Sequence, residues 1–159
     1  MIPTKLLPAF QVSARAAVSA ALAVAIAQWL RLDFPLYAMI GAVIVTDLTP
    51  AQTQSLGMRR LMGTLLGALV GASLSFLLPS GPLSIGISIL LAMALSHILD
   101  LAEAAKVSGY VCAIIVLEHR NEPWSYALAR LIETLLGIGV AWCVSLVPKL
   151  LRANKHPRS

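Results

Sequence analysis

The stretch RLMGTLLG at residues 60–67 returns as RLIETLLG at residues 130–137, 70 positions later along the chain. Each copy carries an arginine, a threonine and a closing glycine in the same order. A second match pairs AVIVTD at residues 42–47 with AIIVLE at residues 113–118, at an offset of 71. Charged and hydroxyl residues matched at nearly one offset indicate an internal repeat. The alternative is chance recurrence of Leu, Gly and Ala in apolar helices.

The composition around this repeat is that of an integral membrane protein. Of 159 residues, 58% are hydrophobic and 12% are charged, which is too little charge for the surface of a soluble domain. The length leaves room for one domain. The net charge of +5 is scattered between long apolar runs. We interpret the basic residues as anchors that flank membrane helices, and we expect the bilayer rather than nucleic acid as the partner.

Charges, prolines and glycines divide the chain into six apolar segments. Segments two and five, residues 34–46 and 107–117, are short. At about 1.5 Å per residue, neither crosses a hydrocarbon core of about 30 Å unaided. Residues 48–57 are predicted to form a polar connector before segment three. The other four segments are residues 10–30, 61–78, 83–99 and 124–147.

Six spans place both ends of the chain on one side of the membrane. Nine basic residues then share that side: Lys5, Arg15, Arg59, Arg60, Lys106, Lys149, Arg152, Lys155 and Arg158. Three lie on the other side: Arg31, Arg120 and Arg130. This excess predicts cytoplasmic termini in a bacterial-type plasma membrane. The predicted organisation is one all-α membrane domain at residues 1–148, followed by a basic cytoplasmic tail at 149–159.

The repeat predicts how the two halves lie in the membrane. Each half would hold three helices, and an odd number makes the second half insert upside down relative to the first. Inverted repeats of this kind are common in transporters, where the two halves exchange inward-open and outward-open states. Short helices in corresponding places of the two halves indicate a substrate site.

Small residues form faces on two of the predicted helices. Gly63, Gly67 and Gly71 recur at four-residue spacing on helix three, and Gly137 gives helix six a similar face. Without side chains, neighbouring backbones approach closely. We therefore expect helices three and six to meet. The glycine face of helix three also offers a contact to a second copy, which would shield buried charges from lipid, so we predict a homodimer.

The membrane helices contain charged residues that need an explanation. Glu133 lies a few turns into helix six, where an ionised carboxylate costs a few kcal/mol. It forms either a local ion pair with Arg130, three residues earlier, or part of a proton- or anion-handling site. Asp47 and Glu118 end the two short helices. They are either solvated or, with the repeated arginines, form two related charged clusters around a transport path.

Other residue types point away from catalysis. His97 and His119 lack metal-ligand spacing, and the sequence has no nucleophile elbow, P-loop or dinucleotide-binding glycines. We expect no enzymatic activity, no metal and no cofactor. Four aromatic residues near predicted helix ends are interpreted as membrane-interface residues: Trp29, Tyr37, Trp124 and Tyr126.

Three stretches resemble the fusaric acid resistance and aromatic acid exporter superfamily. They are SARAA at residues 13–17 and the two repeat copies at 60–67 and 130–137, within a six-helix layout over about residues 10–148. The resemblance implies a membrane module for efflux of small aromatic or other organic acids, driven by the proton gradient.

The leading hypothesis is therefore a transporter module that exports an organic anion. The candidate substrate contacts are Arg60, Arg130, Thr64 and Thr134. The candidate proton carriers are Glu133, Asp47 and Glu118. The alternative is a non-transporting membrane subunit that docks onto or organises a larger membrane complex through its glycine faces.

Overall fold

The computed structural model describes residues 6–79, 81–118 and 121–147, and the regular elements among them are helices. The predicted tail at 149–159 lies outside these residues. A short 3-10 turn, Ala102–Ala104, precedes the fifth α-helix. The six α-helices are α1 (Leu6–Trp29), α2 (Pro35–Val45), α3 (Pro50–Leu77), α4 (Pro82–Ile98), α5 (Ala105–Glu118) and α6 (Pro123–Leu146).

Proline marks the start of four of these helices, where its missing N–H and fixed φ cost nothing. One start corrects the sequence prediction. Residues 48–57 do not form a connector, because α3 begins at Pro50 and the Thr49 side chain accepts the Gln52 N–H at 3.3 Å. This cap and the proline outweigh the polar composition of the segment. Arg60 therefore lies about three turns inside α3.

Helix lengths confirm that segments two and five are short, with 11 residues in α2 and 14 in α5. The fourth helix, with 17 residues, is also shorter than expected for a span. Three helices, α1, α3 and α6, are long and apolar enough to cross a membrane. The all-helical architecture is thus that of a membrane protein, while the crossing of all six helices stays a prediction.

The helices pack as two groups of three. In one group α1, α2 and α6 contact one another, and in the other α3, α4 and α5 do. The groups meet mainly along α3 and α6, so the predicted contact between these helices is present. The first group thus combines two helices of the first half of the sequence with α6, and the second combines two helices of the second half with α3.

Glycines set the closest contacts inside each group. Gly67 on α3 faces the backbone of Ser108 on α5 so closely that a Cβ has no room, and Gly137 on α6 faces the backbone of Ala38 on α2 in the same way. Positions 67 and 137 are 70 apart, and so are positions 38 and 108. The two contacts therefore occupy equivalent places in the two halves.

The glycine faces serve a different purpose from the one expected. Gly63 and Gly71 also face α5, against Val107 and Cys112, and Gly63 meets the Ala104 carbonyl of the 3-10 turn as well. The glycine faces consequently bind short helices within one chain. They form neither the α3–α6 contact nor a surface open to a second copy, because the four-residue spacing of small residues does not specify which helix will cover them.

Arg15 joins the ends of three helices. This buried α1 residue donates from Nη1 to the Leu48 carbonyl at 2.6 Å and from Nη2 to the Val147 carbonyl at 3.1 Å. These carbonyls lie just beyond the carboxyl ends of α2 and α6, where helices carry partial negative charge and unpaired acceptors. A single guanidinium thus holds the group α1–α2–α6 together at one end.

Candidate functional site

Two buried arginines occupy the region where the helix groups meet. Arg60 on α3 is 3% exposed and Arg130 on α6 is 2% exposed. The Arg60 Nε lies 3.8 Å from the place where a Cβ on Gly41 of α2 would stand, so Arg60 reaches across to the other group. The positive charge of Arg130 acts unfavourably on Arg60. Two like charges held this way are costly unless something neutralises them.

The two guanidinium groups lack protein acceptors at several atoms. Nε and Nη1 of both arginines are buried without a hydrogen-bond partner. Within residues 6–79, 81–118 and 121–147, the one ion pair closer than 4.0 Å is between Arg59 and Glu103, which are half-exposed. No described carboxylate therefore lies within ion-pair distance of Arg60 or Arg130. Buried donors without acceptors are rare in proteins, and an anion would satisfy these.

Aromatic side chains cover Arg130. Its Cζ lies 3.1 Å from the centroid of the Tyr37 ring, a close cation–π contact. The Tyr126 hydroxyl donates to the Tyr37 hydroxyl at 2.9 Å, and Phe34 packs edge to face on Tyr126 with centroids 5.2 Å apart. Tyr37 and Tyr126 are therefore part of the interior site. Their rings pack inside the chain because helix α2 is short and lies against α6. Their place at the membrane interface stays a prediction.

A pocket opens beside these aromatic residues. Its volume is about 130 Å³, enough for a few water molecules. Phe34 and Tyr126 belong both to its wall and to the aromatic cluster over Arg130. The cluster thus stands between Arg130 and the pocket. The complete lining is Asp33, Phe34, Glu122, Ser125, Tyr126 and Ala129.

Glu133 holds the start of α2. Its Oε1 accepts the Phe34 N–H at 2.7 Å, and its Oε2 is buried without a partner. A carboxylate in this position is favourable, since the amino end of a helix carries partial positive charge. The charged atoms of Glu133 and Arg130 are more than 4.0 Å apart, yet Arg130 still attracts the Glu133 carboxylate. Both alternatives for Glu133, a local ion pair or a proton- or anion-handling site, stay predictions. Spacing placed both residues on one face, but Arg130 turns to Tyr37 and Glu133 turns to Phe34.

Two hydroxyl groups lie near Arg60, one on α3 and one on α5. Thr64 and Thr134, both 1% exposed, lie one turn beyond the arginine in each repeat copy. The Thr64 hydroxyl has no partner. On α5, the buried Tyr110 hydroxyl lies beside the Arg60 guanidinium, and its own O–H has no acceptor among the described residues. Sequence reasoning missed Tyr110, because its place opposite Arg60 depends on the packing of α5 against α3.

Asp47 and Glu118 lie at helix ends. The half-buried Asp47 follows α2, and its carboxylate accepts the Leu48 N–H; the exposed Glu118 is the last residue of α5. Neither is within ion-pair distance of Arg60 or Arg130, so the predicted pair of charged clusters is not assembled. Across the described part of the chain, no group of three His, Cys, Asp or Glu residues could hold a metal ion.

Comparison with known proteins places this site in a family. The sequence profile "Aromatic acid exporter family member 1" matches residues 11–147. A protein named "Uncharacterized transporter YdhK" from Escherichia coli K12 is 30% identical over 138 residues, which cover 78% of this chain and 20% of that protein. Its counterpart in Escherichia coli O157:H7 gives the same values. The chain thus spans about a fifth of the length of these curated relatives. No solved structure matches it.

The profile match extends over most of the described helices, from α1 to the end of α6. It includes both repeat copies and therefore Arg60, Arg130 and Glu133. The resemblance predicted from three short stretches is confirmed. The chain belongs to the aromatic acid exporter family.

Proposed function

We propose that this chain is a membrane transport module that exports small organic anions, aromatic acids among them. The observation that carries the proposal is the pair of buried guanidinium groups, Arg60 and Arg130, with unpartnered donors and no carboxylate within ion-pair distance. An arginine offers a carboxylate two parallel donors, and burial strengthens that interaction. Membership of an exporter family and a relative named as a transporter support the same function.

The exchange between inward-open and outward-open states would follow from an inverted repeat. Its support is the pair of equivalent glycine contacts, Gly67 with Ser108 and Gly137 with Ala38. Six crossing helices in two three-helix groups would rock against each other along α3 and α6. Because both arginines lie near that contact, the motion would open them to one side and then to the other.

Proton coupling would reside at Glu133. This carboxylate is buried, and its Oε2 is available to receive a proton while Oε1 stays on the Phe34 N–H. Protonation would remove a negative charge close to the anion site and weaken the hold on α2. Asp47 and Glu118, at the ends of the short helices, remain candidates for delivering protons to and from the surfaces.

The orientation and assembly proposals rest on charge and shielding. Both termini would lie on the cytoplasmic side of a bacterial-type plasma membrane, because nine of twelve basic residues share that side under six spans.

The working unit would be a homodimer that uses a surface other than the glycine face of α3. Native mass spectrometry from mild detergent measures the oligomer, and a monomer that persists in nanodiscs contradicts it.

Flux through proteoliposomes tests the proposed function. Wild-type protein should release preloaded benzoate when a pH gradient is imposed, and Arg60→Gln and Arg130→Gln should reduce release to the level of empty liposomes. Arg59→Gln is the matched control, since Arg59 adjoins Arg60 but is half-exposed in a surface ion pair. Its flux should match the wild type.

Two outcomes would contradict this function. Equal loss in all three arginine variants would mean that charge in general, and not the buried pair, matters. Absence of wild-type flux, together with purification in fixed stoichiometry with a foreign membrane protein, would instead support the alternative of a non-transporting subunit of a larger complex.

A further inference from the structure

The surroundings of the two arginines are unequal, and the difference begins with Thr64. Hydroxyls inside these helices usually donate to the carbonyl four residues earlier, as Thr46, Ser88 and Ser96 do at 2.7–2.8 Å. Thr64 is in the same helical context, yet its buried hydroxyl makes no such bond. It lies one turn from Arg60 on the same face of α3. Its hydroxyl is therefore available to a ligand at Arg60.

A second available hydroxyl comes from α5. The buried Tyr110 hydroxyl lies beside the Arg60 guanidinium, and its own O–H has no acceptor among the described residues. Together with the Nε and Nη1 of Arg60, the α3–α5 side presents several donors that have no acceptor. Leaving so many donors unsatisfied costs free energy, which a bound oxygen anion would recover.

The donors beside Arg130 are used differently. One face of its guanidinium lies on the Tyr37 ring, and the hydroxyls of Tyr37 and Tyr126 bond to each other. Glu133, one turn away, carries a carboxylate whose Oε2 has no donor and would repel an anion. An incoming carboxylate would find fewer free donors and more repulsion here than at Arg60.

We propose that Arg60, Thr64 and Tyr110 form the subsite that binds the carboxylate of the exported acid, with Tyr110 as a specificity-determining residue. This rests on the proposed function and deepens it. The carboxylate accepts from the guanidinium and from the two hydroxyls. Arg130 contributes positive charge to the site and stays stacked on Tyr37.

Binding of benzoate to purified protein in detergent, measured by isothermal titration calorimetry, tests this subsite. Tyr110→Phe removes one hydroxyl donor to a charged acceptor and should raise the Kd about tenfold or more. Tyr126→Phe is the matched comparison, because the hydroxyl it removes already has a partner; its effect should be clearly smaller. Benzyl alcohol has the ring but no carboxylate. Its Kd should therefore be the same for Tyr110→Phe and for the wild type.

The thermal unfolding of each variant without ligand shows whether it folds. If Tyr110→Phe does not fold, Thr64→Val replaces it, with the same expected direction. If the wild type binds benzoate and the folded variant has the same Kd for benzoate, the subsite is overturned, but the proposed function still stands. A wild type that binds no benzoate would overturn both. Equal weakening of benzyl alcohol and benzoate would overturn the subsite as well, since the hydroxyl would then serve the ring and not the carboxylate.

Discussion

The contact of α3 with α5 and the contact of α6 with α2 share one glycine-to-backbone geometry but differ in the residue one turn earlier. At one, Gly67 packs against Ser108, and at the other Gly137 packs against Ala38. One turn earlier the two diverge. Gly63 packs directly on the α5 side, whereas Glu133, at the equivalent position of α6, binds the Phe34 N–H.

This difference teaches how a repeated scaffold becomes an asymmetric site. Where the residue is glycine, the short helix packs directly on α3 at this position, without a charged contact. Where it is glutamate, the short helix is held by a buried carboxylate, which costs free energy that packing does not require. Arg15 adds to the contrast, because it binds the far end of α2 and its counterpart region in α4 contains no described basic residue of this kind. Helix α2 is thus held by charges at both ends.

The largest expected effect is on Glu133. Glu133→Gln keeps an oxygen acceptor for the Phe34 N–H but cannot exchange a proton, so uphill benzoate flux driven by a pH gradient should fall to background. Exchange of labelled for unlabelled benzoate without a gradient should persist. Proteoliposome assays of both modes measure this. Loss of both modes, with a lower unfolding temperature, would show that Glu133 only holds α2.

The next effect is a loss of stability in Arg15→Met, which should be larger in one helix group than in the other. Arg15→Met leaves the Leu48 and Val147 carbonyls without their charged donor and should lower the free energy of unfolding by about 3 kcal/mol. Amide hydrogen exchange should rise in α2 and α6 before it rises in α4 and α5. Arg59→Met, which removes a half-exposed ion-pair partner, should cost at most about 1 kcal/mol. Uniform loss of protection in both groups would contradict separate groups.

The smallest effect tests whether the glycine contacts are equivalent. Gly67→Ala and Gly137→Ala each place a Cβ against backbone and should each destabilise the protein by about 1–2 kcal/mol. Gly139→Ala, also in α6, meets nothing within 4 Å and should instead stabilise by up to about 1 kcal/mol. Chemical unfolding in mixed micelles measures all three. A large cost at only one of Gly67 and Gly137 would break the equivalence.

Local signals in the sequence were sufficient for several features. Proline positions marked helix starts, and charges bounded the short helices α2 and α5. Burial of Arg130 and Glu133 followed from their position inside an apolar segment, whereas Arg60 stood just before the predicted third segment. The start of α3 differs from the prediction, because the Thr49 cap and Pro50 begin the helix despite the polar residues that follow.

Which side chains meet was decided only by the tertiary structure. Helical periodicity fixes the residues that share a face, so it placed Gly63 and Gly67 together and Arg130 near Glu133. It does not fix the neighbouring helix, since that depends on packing between segments far apart in the chain. The sequence by itself therefore determined an all-helical member of the aromatic acid exporter family with buried charges. The folded chain alone decided that Glu133 holds α2, that Tyr37 covers Arg130 and that Tyr110 stands opposite Arg60.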